Sequence, residues 1–406
     1  MKIKPFAALR PPKALAEQVA SVPYDVVDSA QAGALARGNE KSFLHVIKSE
    51  IDLPEGTDLY ADGIYEKAAE NFQAFQASGW LVREDRPCLY VYRQAFKEHS
   101  QSGLVVACHT GDYENEIIRK HERTFKKKED DRTRHMKTLG ANPGPVSLTY
   151  RGVDAVNAMV ADVQSGEPEY DFTAPDGVRH TVWIVEDPEP LVEAFDAIPC
   201  AYVADGHHRS ASASRVGKEL AAENPGHSGE ENYNWFLTVL FPAEELQVLA
   251  YNRLVTNLNG LGAEEVLARV GESFTLCETG DPLPESRGKI CMYLAGKWYV
   301  LTWEPDPSLD PLDRLDVSIL QHRLLQPILG VDDIRTAPRM IFKGGFGVTD
   351  LMQELVDTGA AAIAFSLYPV AIEQVMDVAD AGEIMPPKST WFEPKLRSGL
   401  FVHTLD

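Results

Sequence analysis

Five consecutive functional residues at a sharp turn, Asp205-Gly206-His207-His208-Arg209, most constrain how this chain folds. Residues 198–203 (IPCAYV), just before them, form a short apolar run that is typical of a buried strand. From Ser210 onward the sequence is typical of the first turns of a helix. Because glycine alone adopts positive φ at little cost, Gly206 marks a tight turn between the two. The pattern therefore predicts a strand that turns directly into a helix.

The chemistry of this turn predicts an anion site. His207, His208 and Arg209 fall at the helix N-terminus, where unpaired N–H groups and the helix dipole favour negative charge. An aspartate, two imidazoles and a guanidinium gathered there suit a phosphate group. A plainer interpretation is an N-cap aspartate, a turn glycine and three solvated polar side chains. Five adjacent functional residues favour the site.

The remaining pattern predicts an α+β protein with a mixed sheet. Strands and helices alternate irregularly and lack a βαβ rhythm. Helical spacing covers residues 64–79, a hairpin is predicted from 88–96 and 104–109, and residues 42–47 (SFLHVI) suggest a strand. The sequence contains neither GxGxxG nor GxxxxGK[ST], so dinucleotide-fold and P-loop interpretations have no support.

Length and composition limit the remaining possibilities. A chain of 406 residues is expected to form about two to three domains. No apolar run approaches the roughly 20 residues of a membrane span. The five cysteines are odd in number, far apart and without a CxxC pair, which predicts reduced thiols and a cytoplasmic protein.

The net charge of −22 argues against nucleic acid and anionic membranes as partners. Residues 119–137 are locally basic, with nine Lys/Arg and four Asp/Glu. A helix with salt bridges between neighbouring turns would explain such a block. Because the block opposes the global charge and includes the His121-Glu122 pair, we favour a focused positive patch for a small anionic substrate.

A second cluster, residues 385–399, is rich in prolines, hydroxyls and cations. Lys388, Ser389, Thr390 and Lys395 are candidate donors to phosphate oxygens. Trp391 is a candidate to pack beneath a base or simply to anchor the segment. A structural clip and a functional segment are equally supported at this point.

The turn resembles the signature of the ParB/sulfiredoxin superfamily, which includes archaeal free serine kinases. Over nearly its whole length the chain is similar to a bacterial and archaeal family, the domain of unknown function DUF1015. The matching stretches are VPYDVV (22–27), KHERT (120–124), DGHHR (205–209) and PPKSTWFEPKLRSGL (386–400). The resemblance implies a ParB/sulfiredoxin-like catalytic region over residues 1–240. A second α+β region over 241–406 would then contribute its C-terminal segment to the site.

By this resemblance the chain is a phosphotransferase that acts on a small hydroxy amino acid, with free serine or, in reverse, phosphoserine as substrate. ATP or ADP would be the nucleotide and Mg²⁺ its companion, while the oligomeric state stays open. Glu122, Asp205 and His207 would be catalytic, and His121 and Trp391 would bind substrate. The phosphate and nucleotide would be bound by Gly206, His208, Arg209, Ser210, Lys388, Ser389, Thr390 and Lys395.

Two other functions stay open from the residues. A metal-dependent phosphomonoester hydrolase, such as a phosphoserine phosphatase, would use Asp205, His207 and His121 or Glu122 as metal ligands. A non-enzymatic ParB-like regulator would bind nucleotide and DNA, against which the net charge counts. A sulfiredoxin-like reductase lacks a cysteine at the turn.

Overall fold

The computed structural model describes residues 1–334 and 336–406, and it divides into two units. Unit 1 comprises Met1–Leu246 and Pro394–Asp406, and unit 2 comprises Gln247–Glu393. The division falls close to the predicted boundary at residue 240. The prediction that all of 241–406 belongs to the second region differs from the structure, because the last thirteen residues pack within unit 1.

The strands of unit 1 are β1 Ile3–Lys4, β2 Leu9–Arg10, β3 Val82–Arg83, β4 Leu89–Phe96, β5 His99–His109, β6 Ile118–Arg119, β7 Ala141–Asn142, β8 Val146–Tyr150, β9 Tyr170–Thr173, β10 Arg179–Val185, β11 Ala201–Asp205, β12 Trp235–Pro242 and, near the C-terminus, β21 His403–Thr404. Its α-helices are α1 Ala16–Val19, α2 Ser29–Ala36, α3 Leu44–Ile47, α4 Asp62–Ala77, α5 Thr110–Glu114, α6 Lys126–Leu139, α7 Asp154–Gln164, α8 Glu189–Asp196 and α9 His207–Glu223.

A large mixed sheet forms the centre of unit 1. Its order is β6-β11-β8-β12-β5-β4-β10-β9, with β1 also paired to β5. The β6/β11 and β8/β12 pairs are parallel and the others are antiparallel. The sequence prediction of an α+β fold with a mixed sheet is therefore confirmed.

Strand β5 shows why this sheet is buried on both faces. Successive side chains of a strand point to opposite faces, and apolar residues occupy both. Leu104 and Val106 pack in the cluster that also holds Val216 of α9. Val105 packs in the opposite cluster with Phe401 from the C-terminal residues. The sheet thus has α9 on one side and residues 396–401 on the other.

One element of unit 1 corrects the sequence prediction. Residues 42–47 were expected to form a strand, but Leu44–Ile47 form helix α3. Leu44, Val46 and Ile47 are all buried in a cluster with Phe72 and Phe75 of α4. A short apolar run is compatible with strand or helix, and packing against another helix decides this case.

Unit 2 contains β13 Val248–Leu249, β14 Tyr251–Val255, β15 Thr275–Thr279, β16 Lys289–Leu294, β17 Lys297–Thr302, β18 Met340–Gly344, β19 Ile363–Leu367 and β20 Trp391–Phe392, with α10 Ala263–Ser273, α11 Asp316–Leu320, α12 Val348–Asp357 and α13 Ile372–Asp380. Its antiparallel sheet has the order β15-β17-β16-β19-β14-β18, and β13 pairs with β20. Leu254, Tyr293 and Met352 belong to the core on one face. No helix in the described part of the chain is long and apolar enough to cross a membrane.

Candidate active site

The turn between β11 and α9 has the geometry that the sequence predicts. β11 ends at Asp205, Gly206 has φ +101°, and α9 begins at His207. A Cβ atom on Gly206 would lie 3.0 Å from Nε of Arg209. Glycine is therefore required twice, for its backbone conformation and for the space that the guanidinium takes.

The carboxylate of Asp205 lies between two cations. Its Oδ1 is 2.9 Å from Nζ of Lys395, and its Oδ2 accepts a 2.6 Å hydrogen bond from Nη2 of Arg209. Although burial alone would raise the pKa of Asp205, the charges of Lys395 and Arg209 hold it below the usual range. Asp205 stays ionised, and it fixes a lysine that lies 190 residues away in the chain.

Arg209 is turned into the protein. It is only 7% exposed, and it donates from Nη1 to the carbonyl of Pro145 and from Nη2 to Asp205. Asp25 lies 3.9 Å from the same guanidinium. Burial opposes its charge, but Asp25 and Asp205 raise the pKa of Arg209. Two of its nitrogens are thus committed to protein oxygens, which gives Arg209 a positioning role. Its predicted phosphate contact stays a prediction.

Two histidines meet edge to face beside this cluster. The rings of His121 and His207 are 4.5 Å apart between centroids, at an interplanar angle of 86°. Burial lowers the pKa of His121 to about 4. Burial and the neighbouring His121 also hold the pKa of His207 well below its usual value. Both imidazoles are therefore neutral near pH 7, and Nε2 of His207 is buried without a hydrogen-bond partner among residues 1–334 and 336–406.

Glu122 lies next to this histidine pair. Its Oε2 is 3.9 Å from Nδ1 of His207, and its side chain is about one-third exposed (36%). An accessible carboxylate beside a buried neutral imidazole can accept a proton from a bound hydroxyl group. The structure brings Glu122, His121, His207, Asp205 and Lys395 to one turn of unit 1.

The other predicted residues of the turn face protein groups. His208 accepts from the backbone N–H of Phe125 at 3.1 Å through Nε2, and its ring stacks on that of Phe125 at an angle of 9°. Ser210 is fully buried, and its hydroxyl donates to the carbonyl of Gly206 at 3.2 Å. Both side chains therefore help to hold the start of α9, and their phosphate-binding roles stay predictions.

The residues of the second cluster divide between the two units. Lys395 belongs to unit 1, whereas Lys388, Ser389, Thr390 and Trp391 belong to unit 2. Nζ of Lys388 lies 5.3 Å from the centre of the Tyr251 ring, Ser389 donates to the carbonyl of Pro386, and Trp391 donates to Glu393 at 2.7 Å. Nucleotide or substrate binding by the four residues of unit 2 stays a prediction.

Several basic side chains of segment 119–137, which the sequence suggested as a positive patch, form ion pairs with acidic side chains. Lys137 pairs with both Glu219 and Glu223 at 3.0 Å, and Arg134 pairs with Asp62. Arg132 pairs with Asp131 at 2.7 Å. The salt bridges of Lys137 and Arg134 run to acidic side chains of α9 and α4, and not between neighbouring turns of one helix as the alternative interpretation expected.

Sequence reasoning did not assign Asp25 or Pro145 to the site. Asp25 lies within VPYDVV, a stretch quoted for the family resemblance, and this was the only signal available. The sequence cannot single out the Pro145 carbonyl, because every residue has a backbone carbonyl. Among residues 1–334 and 336–406, no three or more His, Cys, Asp or Glu side chains are grouped as a metal site.

Comparison with known proteins identifies a family. The model for the family described as "Protein of unknown function (DUF1015)" matches residues 3–318. No curated protein matches the sequence. Among solved structures, a free serine kinase mutant in complex with AMP is 12% identical with a TM-score of 0.38, covering 71% of this chain and 87% of that one.

Two further structures give similar values. A conserved hypothetical protein from Pyrococcus furiosus is 12% identical with a TM-score of 0.37, covering 72% of this chain and 93% of that one. SbnI from Staphylococcus aureus, with a C-terminal truncation, is 10% identical with a TM-score of 0.37, covering 71% of this chain and 82% of that one.

Proposed function

The chain belongs to the DUF1015 family, and we propose that it is a nucleotide-dependent phosphotransferase whose acceptor is a small hydroxy amino acid, most specifically free serine. The observation that carries this proposal is the meeting of Glu122, His207 and the Asp205–Lys395 pair at the N-terminus of α9. Phosphoryl transfer needs positioning, positive charge and a base for the attacking hydroxyl.

The start of α9 offers a place for the phosphate. This helix is 17 residues long, and no side chain of the described residues caps its N-terminus. Its first N–H groups and its dipole favour an anion there. Lys395, held by Asp205, adds a positive charge at the same turn. Nε2 of His207, which has no partner in the described chain, is a further group for a ligand atom to contact.

Glu122 is suited to take the proton from the acceptor. The serine hydroxyl oxygen forms a bond to the terminal phosphorus of ATP or ADP, and the bond from that phosphorus to the bridging oxygen breaks. The hydroxyl proton passes to Glu122, and the shortened nucleotide leaves with the electron pair. In the reverse direction phosphoserine is the donor. His207 stays neutral because it is buried, so it orients Glu122 and adds no charge.

Asp205 is poorly suited to hold Mg²⁺. One of its oxygens is bonded to Lys395 and the other to Arg209, so both already face cations. Magnesium is usually held by one or two carboxylates together with substrate phosphates. We therefore assign Asp205 to holding Lys395.

Direct detection of phosphoserine tests the proposal. The full chain is incubated with serine and ATP or ADP, with and without Mg²⁺, and the product is followed by phosphorus NMR. The wild type is expected to form phosphoserine. Glu122→Gln keeps the shape of the side chain but removes the base, so turnover should fall by roughly 10²–10⁴-fold. Nucleotide binding, measured by the thermal shift, should persist.

Glu116→Gln is the matched control, because Glu116 is exposed and pairs with Lys120 on the surface. It should leave turnover unchanged. Full activity in Glu122→Gln would remove the base from this mechanism. A wild type that forms no phosphoserine with any nucleotide, but hydrolyses phosphoserine, would establish the hydrolase instead. Nucleotide binding without either reaction would point to a regulator.

A further inference from the structure

Unit 2 contains a cavity of about 480 Å³ that the proposed function does not use. Trp303, just after β17, and Leu309, in the following proline-rich loop, supply apolar walls together with Ile319 of α11. Arg287, Asp316 and Gln374 supply polar groups. Apolar walls with a few converging polar groups are typical of a site for a small molecule.

The buried charge of this cavity is Asp316. Asp316 is only 8% exposed, and both of its carboxylate oxygens accept from the N–H of Gly288, at 3.1 and 3.2 Å. Burial raises the pKa of Asp316 to about 6, against the opposing effects of the Gly288 N–H and the Arg287 charge. Near pH 7 the cavity therefore has one buried carboxylate that is largely ionised, while the carboxylates of Asp306 and Asp377, which also line it, are exposed.

One of the two positive groups of the cavity is Arg287, which is exposed at the surface. No hydrogen bond or ion pair engages its guanidinium among the residues that the structure describes. Arg314 also lines the cavity and donates from Nε to the carbonyl of Asp310 at 3.2 Å. The cavity therefore combines an inner carboxylate, an apolar wall and an outer rim on which two guanidinium groups and two carboxylates lie.

We propose that this cavity binds a free α-amino acid with an apolar side chain. The amino acid's carboxylate pairs with Arg287, its ammonium group donates to Asp316 and Gln374, and its side chain packs on Trp303, Leu309 and Ile319. A simple anion would leave Asp316 facing like charge, and a simple cation would meet Arg287. A ligand with both charges satisfies both groups, and its apolar part covers the Trp303 ring.

This site is independent of the phosphotransferase proposal. An apolar amino acid such as leucine has no hydroxyl group, so it cannot accept a phosphoryl group. Its binding would add an amino-acid-sensing site to unit 2, whatever reaction unit 1 performs.

Calorimetric titration of the full chain tests the inference with L-leucine and L-phenylalanine as probes. L-Leucinol lacks the carboxylate and 4-methylpentanoate lacks the ammonium group. We expect at least one amino acid to bind and each single-charge analogue to bind at least about tenfold more weakly. Arg287→Ala should weaken amino-acid binding by at least about tenfold. Arg269→Ala, which removes an exposed arginine of α10 in the same unit, should leave it unchanged.

Three results would each overturn the inference. The first is that neither amino acid binds at concentrations up to about 10 mM, a level that detects even weak sites. The second is equal affinity for the zwitterions and their single-charge analogues. The third is an Arg287→Ala variant that binds as well as Arg269→Ala does.

Discussion

Asp205 accounts for most of the charge arrangement at the candidate site. It holds Lys395 on one oxygen and Arg209 on the other, and Arg209 in turn reaches Pro145. The sequence predicted Asp205 and its neighbours because they are adjacent. It predicted Lys395 only as one of several cations, since a pairing over 190 residues depends on the tertiary fold. It did not predict that Arg209 donates to Pro145 and Asp205, since these contacts also depend on the tertiary fold.

Removing the negative charge of Asp205 should destabilise unit 1. Asp205→Asn leaves Lys395 and Arg209 mostly buried without their shared carboxylate, and breaking a buried pair in this way costs about 3–5 kcal/mol. Asp171→Asn is the control, because Asp171 pairs with Arg179 at the surface, and such pairs contribute about 0–1 kcal/mol. Urea unfolding at pH 7 measures both. Equal losses in the two variants would show that Asp205 does not support the fold.

At the scale of the elements, apolar periodicity predicted the long strands and helices well. β4 and β5, α4 and the β11–turn–α9 unit all lie where the sequence placed them, within a few residues. The short element at residues 42–47 was predicted wrongly, because six apolar and polar residues do not distinguish a strand from a helix. The sequence also could not predict the ion-pair partners of α6, since they lie on α4 and α9.

The turn element should depend on glycine for a reason beyond its backbone. Gly206→Ala places an alanine in the left-handed backbone conformation and brings its Cβ to 3.0 Å from Arg209 Nε. Gly229→Ala is the matched control, because Gly229 has φ +96° but open space around its Cβ position. We expect the control to lose about 1–2 kcal/mol of stability. Gly206→Ala should lose more and should also weaken nucleotide binding.

Urea unfolding and thermal shift with nucleotide measure this contrast. Equal stability and unchanged nucleotide binding in the two variants would show that Gly206 matters only for its φ angle.

For the whole molecule, the two units differ in their buried titratable groups. Unit 1 contains five buried histidines whose pKa values burial lowers, namely His121, His135, His180, His207 and His403. Unit 2 contains Asp316, whose pKa burial raises to about 6. No composition or periodicity could show this difference, because it arises from which side chains the fold removes from water.

Acidification from pH 7 to 5 should therefore destabilise unit 1 and stabilise unit 2. The unfolded histidines take up protons below about pH 6.5 while the folded ones do not, which costs up to about 1.4 kcal/mol per pH unit for each. Folded Asp316 takes up a proton near pH 6, and the unfolded one only near pH 4. The stability of unit 2 thus rises as the pH falls through this range.

Differential scanning calorimetry follows the two transitions over this pH range. Asp316→Asn should abolish the gain in unit 2 and leave the loss in unit 1. Parallel shifts of both transitions would contradict the assignment of opposite signs to the two units.

The return of residues 394–406 to unit 1 has a consequence for synthesis on the ribosome. Domains usually fold in the order in which they are translated. Here the strand partner of β7, the apolar cover of β5 and the lysine that pairs with Asp205 all emerge after the whole of unit 2. Unit 2 is therefore the first unit for which every residue has been synthesised, although most of unit 1 precedes it in the chain. A nascent chain that ends before Lys395 contains the β11–α9 turn, but Asp205 then has Arg209 as a partner and not Lys395. Premature termination therefore leaves the site incomplete.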